Sequence, residues 1–338
     1  MLPNVDAKKV HQSCCSFEWV LVEAGGNGNA IGSFVVSELL KTDVGKVVIF
    51  DNFARGKRSN IQESLKDPRC EVYPHGGDVR ELDILNDAMK GMDGVIHLAA
   101  MWLLHCKDFP RTAFHVNIEG TFNVLEAMRR NGVRKIAFAS TGSVYGEAEE
   151  IPTPENAPFP IQTSLYGASK LACEGLIAAY CEGFQFQSWI FRFVSILGER
   201  YTHGHVFDFY RKLQLDPTRL EVLGNGRQRK SYLYVQDCLD AVLLALDKAK
   251  QRVNIINLGV NDSCEVNDSI RWICEALGLN PKLEYSGGDR GWIGDNPLIH
   301  LDPCKMMGMG WMPKLSIREG IVRTLTYLQE NEWVFRER

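Results

Sequence analysis

The segment WVLVEAGGNGNAIGS (19–33) decides the fold. Its first four residues are apolar and read as a short buried strand. A glycine-rich turn follows, and a helix pattern runs over about 31–41. In that order the three make a place where backbone can approach a pyrophosphate while helix amides face its charge. Gly25, Gly28 and Gly32 are the candidates for that approach. A second strand, KVVIF (46–50), ends at Asp51, 26 residues after Gly25. A carboxylate at that tip can accept both hydroxyls of an adenosine ribose and repels a 2′-phosphate, which favours NAD over NADP. Arg55 and Arg58 keep NADP open. The alternative role for Asp51 is a turn cap.

Strands and helices go on alternating. CEVYP (70–74), GVIHLAA (94–100), RKIAFAS (134–140) and QSWIFRF (187–193) read as further strands, and 81–90, 111–131 and 166–182 as helices. Apolar strands alternating with helices predict an α/β fold, a doubly wound parallel sheet covered on both faces. The second half is less regular, and 194–230 is rich in glycine, proline and charge. SYLYVQDCLDAVLLAL (231–246) reads as a strand running into a helix, VNIINLG (253–259) as a strand, and 265–277 and 316–330 as helices. The expected division is a dinucleotide-binding domain over 17–193 with a returning segment 231–259. A smaller α/β substrate lobe takes 194–230 and 260–338, and 1–16 is an N-terminal extension.

The composition excludes several classes. A net charge of −4 gives no basic surface for nucleic acid, and no apolar run reaches the ~20 residues of a membrane span. The first sixteen residues lack the apolar core of a signal peptide. Ten scattered cysteines fit no zinc spacing and are expected to be free thiols in the cytoplasm. No metal is expected.

The chemistry is carried by SLYGASK (164–170) and ASTGSVYG (139–146). A tyrosine hydroxyl normally titrates near ~10, too high for a base at neutral pH. Lys170 lies one helical turn after Tyr166 on the same face, and its charge is expected to favour the phenolate. Thr141 can hydrogen-bond the substrate oxygen while Tyr166 takes its proton. A surface tyrosine, a solvated lysine and a turn-capping threonine are the bland alternatives.

As an ordered set, these motifs resemble the extended short-chain dehydrogenases/reductases, the nucleotide-sugar epimerases, dehydratases and decarboxylases. The others in the set are FDNFARG (50–56), GGDVRE (76–81), HLAA (97–100), VNIEGTFNVLEA (116–127) and KSYLYVQD (230–237). The resemblance covers roughly 17–330, and UDP-galactose 4-epimerases fit best. It implies a Rossmann domain, NAD as cofactor, a nucleotide-diphosphate sugar as substrate, and a homodimer built on the helices at 111–131 and 166–182. It also implies that Gly25, Gly28, Ile31, Gly32, Asp51 and Asn52 hold the dinucleotide, with Asp78 and Val79 at the adenine. Leu98, Ala99, Ala100 and Ser140 would line the cofactor, and Asn117 would support the loop beside it. Tyr166 would be the acid/base, Lys170 would hold the nicotinamide ribose, and Thr141 would bind the reacting oxygen. Ser143, His105, Ser195, Arg229, Lys230 and Arg290 are the substrate candidates. Met101, Trp102 and Leu104 would wall the sugar, Asp295 would lie near the nucleotide, and Trp292 offers a base-stacking surface.

Several departures from the family pattern sharpen the expectation. Ala24 stands where the glycine turn usually has threonine, and the Gly28–Gly32 interval is one residue longer than usual. Dehydratases of the family carry Asp-Glu directly after the catalytic threonine, whereas this chain has Gly142 and Ser143. The decarboxylase branch has glutamate where Ser143 stands. Ser195 replaces an asparagine, and Lys230, a point charge without the guanidinium fork, replaces an arginine. The expected activity is 4-epimerisation of a nucleotide sugar, most simply a UDP-hexose, through a transient 4-keto sugar. A dehydratase or keto-sugar reductase, and a nucleotide-sensing protein with a decayed dinucleotide site, are the alternatives.

Overall fold

The computed structural model describes residues 18–23, 28–54, 56–159, 161–291 and 296–336. The extension 1–16, Gly25, Arg55, Trp292 and Asp295 lie outside the described residues.

The chain divides into two compact units. The first comprises residues 1–140, 165–191 and 241–256, and the second 141–164, 192–240 and 257–338. The segment 141–164, which the sequence division puts in the first domain, groups with the second unit, and only 241–256 of the returning segment joins the first.

The first unit is built on a seven-stranded sheet. Six strands are β1 (Glu18–Glu23), β2 (Lys46–Asp51), β3 (Cys70–Val72), β4 (Gly94–His97), β5 (Lys135–Thr141) and β6 (Gln187–Phe193). The seventh is Val253–Leu258, and the spatial order is β3, β2, β1, β4, β5, β6, Val253–Leu258. The pairs β1–β2, β1–β4, β2–β3 and β4–β5 are parallel. Residues 47–51 of β2 are buried, as an apolar strand covered on both faces must be. Winding runs outward from β1 to β3 and then restarts at β4 on the other side of β1. Doubly wound sheets take ligands at the carboxyl ends of the strands beside such a reversal. The register aligns those ends: Glu23 pairs with Asp51, Val22 with His97, and His97 with Phe138.

The helices are α1 (Gly28–Leu39), α2 (Leu82–Ala88), α3 (Leu103–Asp108), α4 (Pro110–Ala113), α5 (Gly120–Asn131) and α6 (Leu165–Phe184). Leu85, Met89, Val124, Met128, Phe138 and Ile177 form the centre of the core between helices and sheet. Two details differ from the sequence reading. β4 stops at His97, so Leu98–Ala100 leave the strand. The run 111–131 is not one regular helix, because a π-helical turn, Phe114–Glu119, links α4 to α5.

In the second unit, Ser195–Leu197 pairs parallel with Tyr232–Tyr234. Arg229–Lys230 lies between Cys264–Glu265 and Leu298–Ile299. A helix at His205–Leu215 was not expected, and Ile317–Glu330 begins at a capping box of Ser316 and Glu319. Among the described residues no helix is long and apolar enough to cross a membrane.

Candidate active site

The cofactor candidates gather at the carboxyl edge of the first unit's sheet. Gly28 begins α1, with Ile31 and Gly32 in its first turn and a half. Asp51 is buried, and its Oδ1 accepts the Phe53 amide at 2.8 Å. The carboxylate therefore caps the turn after β2, at the tip of that strand. Asn52 Oδ1 likewise accepts the Ala54 amide at 3.0 Å. The loop from β3 passes so close that a Cβ on Gly77 would lie 2.1 Å from the Asp51 carbonyl carbon and 2.4 Å from the Asn52 nitrogen. Only glycine fits there. The sequence reading passes over Gly77, although it stands directly before Asp78 in GGDVRE.

Asp78 receives the Arg80 guanidinium, whose Nε donates at 2.9 and 3.1 Å and holds the carboxyl below its usual range. The Val79 side chain belongs to the hydrophobic core and packs against Gly120, so only its backbone is available to a ligand. Leu98, Ala99 and Ala100 are buried beyond β4.

Asn117 lies in the π turn and is 1% exposed. Its Oδ1 accepts the Met101 amide at 2.6 Å. Its Nδ2 donates to the Met101 carbonyl at 3.3 Å and to Ser169 Oγ at 2.9 Å. One side chain thus ties the loop after β4 to α6, one residue from Lys170. A π turn inside a longer helix recurs at functional sites, where the extra residue redirects a side chain.

Tyr166 is half-buried on the first turn of α6. Burial and the nearby Cys106 and Cys173 thiols push its hydroxyl above the ordinary value. The expectation that Lys170 lowers it is therefore not met in the free protein. The Lys170 ammonium is turned elsewhere: Nζ donates to the Ala139 carbonyl at 2.7 Å and stands 4.5 Å from the centre of the Phe138 ring. Burial also pushes Lys170 itself down to about 8. One turn further on, buried Glu174 accepts a hydrogen bond from Ser140 Oγ, joining α6 to β5. Its 166/170/174 spacing was a readable signal that the sequence analysis does not use. His105 is exposed on α3, edge-on to Trp102 at 5.2 Å between ring centres. Met101 and Trp102 are half-buried and Leu104 is exposed.

The second unit opens at Thr141, the last residue of β5. Thr141 Oγ1 accepts the Ser143 amide at 3.2 Å and donates to Ser143 Oγ at 3.3 Å, capping the short turn Gly142–Tyr145. The two hydroxyls expected at the substrate are thus bonded to each other. A Cβ on Gly142 would meet Ile299 and Leu301 carbons at 3.2–3.3 Å. The turn is braced from behind by Tyr145, whose hydroxyl donates to Asn257 Oδ1 at 2.9 Å, and by buried Arg192 over the Tyr145 ring. Arg229 and Lys230 alternate along their strand. Arg229 is exposed and reaches Ser263 Oγ at 3.2 Å, while Lys230 is half-buried on the side of His205. Ser195 is exposed. Arg290 pairs with Glu147, which sequence reasoning does not single out.

A parallel sheet that reverses at β1/β4, an acid at the tip of β2, and a tyrosine–lysine pair one turn apart on α6 define an extended short-chain dehydrogenase/reductase. Residues 22–259 match the NAD dependent epimerase/dehydratase family, and the chain belongs to it. A putative UDP-glucose 4-epimerase of Methanocaldococcus jannaschii is 31% identical over 320 residues, 92% of this chain and 99% of that relative. A solved UDP-galactose 4-epimerase superposes with a TM-score of 0.82 at 34% identity, covering 94% of this chain and 100% of that one. The UDP-glucose 4-epimerase of Thermus thermophilus, solved in complex with NAD, gives 0.78 at 29% identity over 92% and 99% of the two chains.

Proposed function

We propose that this chain is an NAD-dependent 4-epimerase of a UDP-hexose. Gly142 carries the choice within the family. A dehydratase needs an acid beside the threonine to expel water; position 142 has no side chain, and a Cβ there would press on Ile299 and Leu301 at 3.2–3.3 Å. The likeness to a solved UDP-galactose 4-epimerase supports the same reading.

The dinucleotide fits the first unit. Asp51 offers a carboxylate to the adenosine ribose, Gly77 keeps the neighbouring loop against the backbone at Asp51, and Lys170 offers a buried ammonium beside β5 to the second ribose. Gly28, Ile31, Gly32, Asn52, Asp78, Val79, Leu98, Ala99, Ala100, Asn117 and Ser140 complete the proposed cofactor contacts. When bound, NAD⁺ supplies a reversible hydride acceptor and a positive charge.

Tyr166 moves the proton. In the free protein its hydroxyl is held protonated, and it becomes a base only with positive charge nearby. Thr141 gives up its bond to Ser143 and donates to the sugar oxygen instead. Ser143, His105, Ser195, Arg229, Lys230 and Arg290 bind the nucleotide sugar, the cations taking the diphosphate. Binding energy from the nucleotide holds the molecule while the keto sugar turns over. Exposed Phe114, Phe122 and Phe184 on the adjoining α5 and α6 region support a homodimer through these helices. The eight described cysteines are free, in keeping with a reducing compartment such as the cytoplasm.

The test is a label. With UDP-hexose carrying deuterium at C4, the product should have the substrate's mass, an inverted C4 and the deuterium still at C4, with no free NADH. A product lighter by one water, or deuterium at C6, overturns the reading in favour of a dehydratase.

A further inference from the structure

The second unit holds its proposed diphosphate arginine in an ion pair with one of its own acids. Arg290 Nη2 donates to Glu147 Oε1, 143 residues away in sequence. Both side chains are partly solvent-exposed, at 43% and 48%. Both backbones are anchored. Glu147 follows Gly146, whose carbonyl accepts the buried Asn296 amide, and it stands four residues after Ser143 on the segment that carries Thr141. The loop bearing Arg290 is tied to Gly224–Asn225: Ser286 Oγ accepts the Gly224 amide at 2.8 Å, Gly287 donates to the Gly224 carbonyl at 3.0 Å, and Asn225 donates to Asp289 at 3.1 Å. The pairing thus joins two pinned loops, and it engages the guanidinium proposed to take the diphosphate.

We propose that Glu147 is a specificity-determining residue that competes with the substrate's anion for Arg290. This rests on the reading of Arg290 as a diphosphate ligand. A carboxylate brings one negative charge to the guanidinium. A nucleoside diphosphate brings two or more, spread over oxygens that match the planar fork. It therefore displaces Glu147, whereas a singly charged ligand gains little over the pairing already made. Release of the Glu147 carboxylate accompanies binding, while the segment bearing Thr141 and Ser143 stays held through Gly146 and Asn296.

The experiment is calorimetric titration of the NAD-loaded protein with UDP, comparing wild type with Glu147→Gln, Arg290→Gln and the double variant. Removing a competing exposed ion pair should tighten UDP by roughly 2–5-fold in Glu147→Gln. That gain should shrink as salt is raised and vanish in the Arg290→Gln background. Weaker UDP binding by Glu147→Gln, or an equal gain without Arg290, overturns the competition. The underlying reading fails separately: it fails if Arg290→Gln leaves UDP affinity unchanged. If Arg290→Gln weakens UDP but Glu147→Gln has no effect, only the present inference falls.

Discussion

Replacing Lys170 by methionine should make the free protein more stable while removing a residue on which the proposed chemistry depends. Lys170 is 2% exposed, and burial takes it from 10.5 to about 8. Keeping its ammonium charged in the folded protein at neutral pH therefore costs about 3 kcal/mol relative to the unfolded chain. Methionine keeps the length and the apolar stem and carries no charge. It gives up the hydrogen bond to the Ala139 carbonyl, a loss of about 1–2 kcal/mol. The expected balance is a net gain of about 1–2 kcal/mol, measured by urea unfolding of nucleotide-free protein at pH 7. The pH dependence identifies the cause. Lys170 is held below its free value, so between about 8 and 10.5 the unfolded chain binds more protons than the folded one, and wild-type stability rises with pH across that window. The variant has no such group, so its advantage should fall by more than half by about pH 9.5. A variant less stable than wild type by about 1 kcal/mol or more at pH 7, or an advantage that does not change with pH, would refute the reasoning.

Tyr166→Phe removes the proposed proton carrier, and turnover should fall by roughly 10²–10⁴-fold with UDP affinity little changed. Near wild-type turnover would end the assignment. Asp51 should repel a 2′-phosphate, so calorimetry should find NAD bound more tightly than NADP; equal affinities would leave Asp51 as a turn cap alone. Gly142→Asp should destabilise the fold by about 1–3 kcal/mol in urea unfolding, because its Cβ would press on Ile299 and Leu301 carbons at 3.2–3.3 Å. A neutral substitution would remove the steric argument against dehydration.

The sheet was legible because its strands are short apolar runs between turn signals. KVVIF and RKIAFAS fall within a residue or so of β2 and β5. The helix His205–Leu215 was missed although Val206, Phe209, Tyr210 and Leu213 carry a helical stripe. Glycine and proline on either side outweighed eleven residues of pattern. The π turn was illegible for a different reason: one extra residue changes the phase of a helix without changing its composition. Side-chain state was the least legible. Lys170 stands one turn from Tyr166 as expected, but helical spacing does not say that its Nζ turns to the Ala139 carbonyl. The thiols that act on Tyr166 electrostatically come from α3 and from further along α6.

The π turn at Phe114–Glu119 also makes chain length itself a functional quantity. Each residue of a helix advances the side-chain direction by about 100°. Losing Ile118 or Glu119 would let the run relax to uniform α geometry. Everything before the cut would then turn by about that angle relative to α5. The Asn117 amide would swing off the line joining Met101 to Ser169, although α5 itself could stay seated on the core. Such a deletion removes none of Tyr166, Lys170 and Thr141, yet it would detach the loop after β4 from α6. In this stretch the number of residues, and not only their identity, holds the loop after β4 to α6.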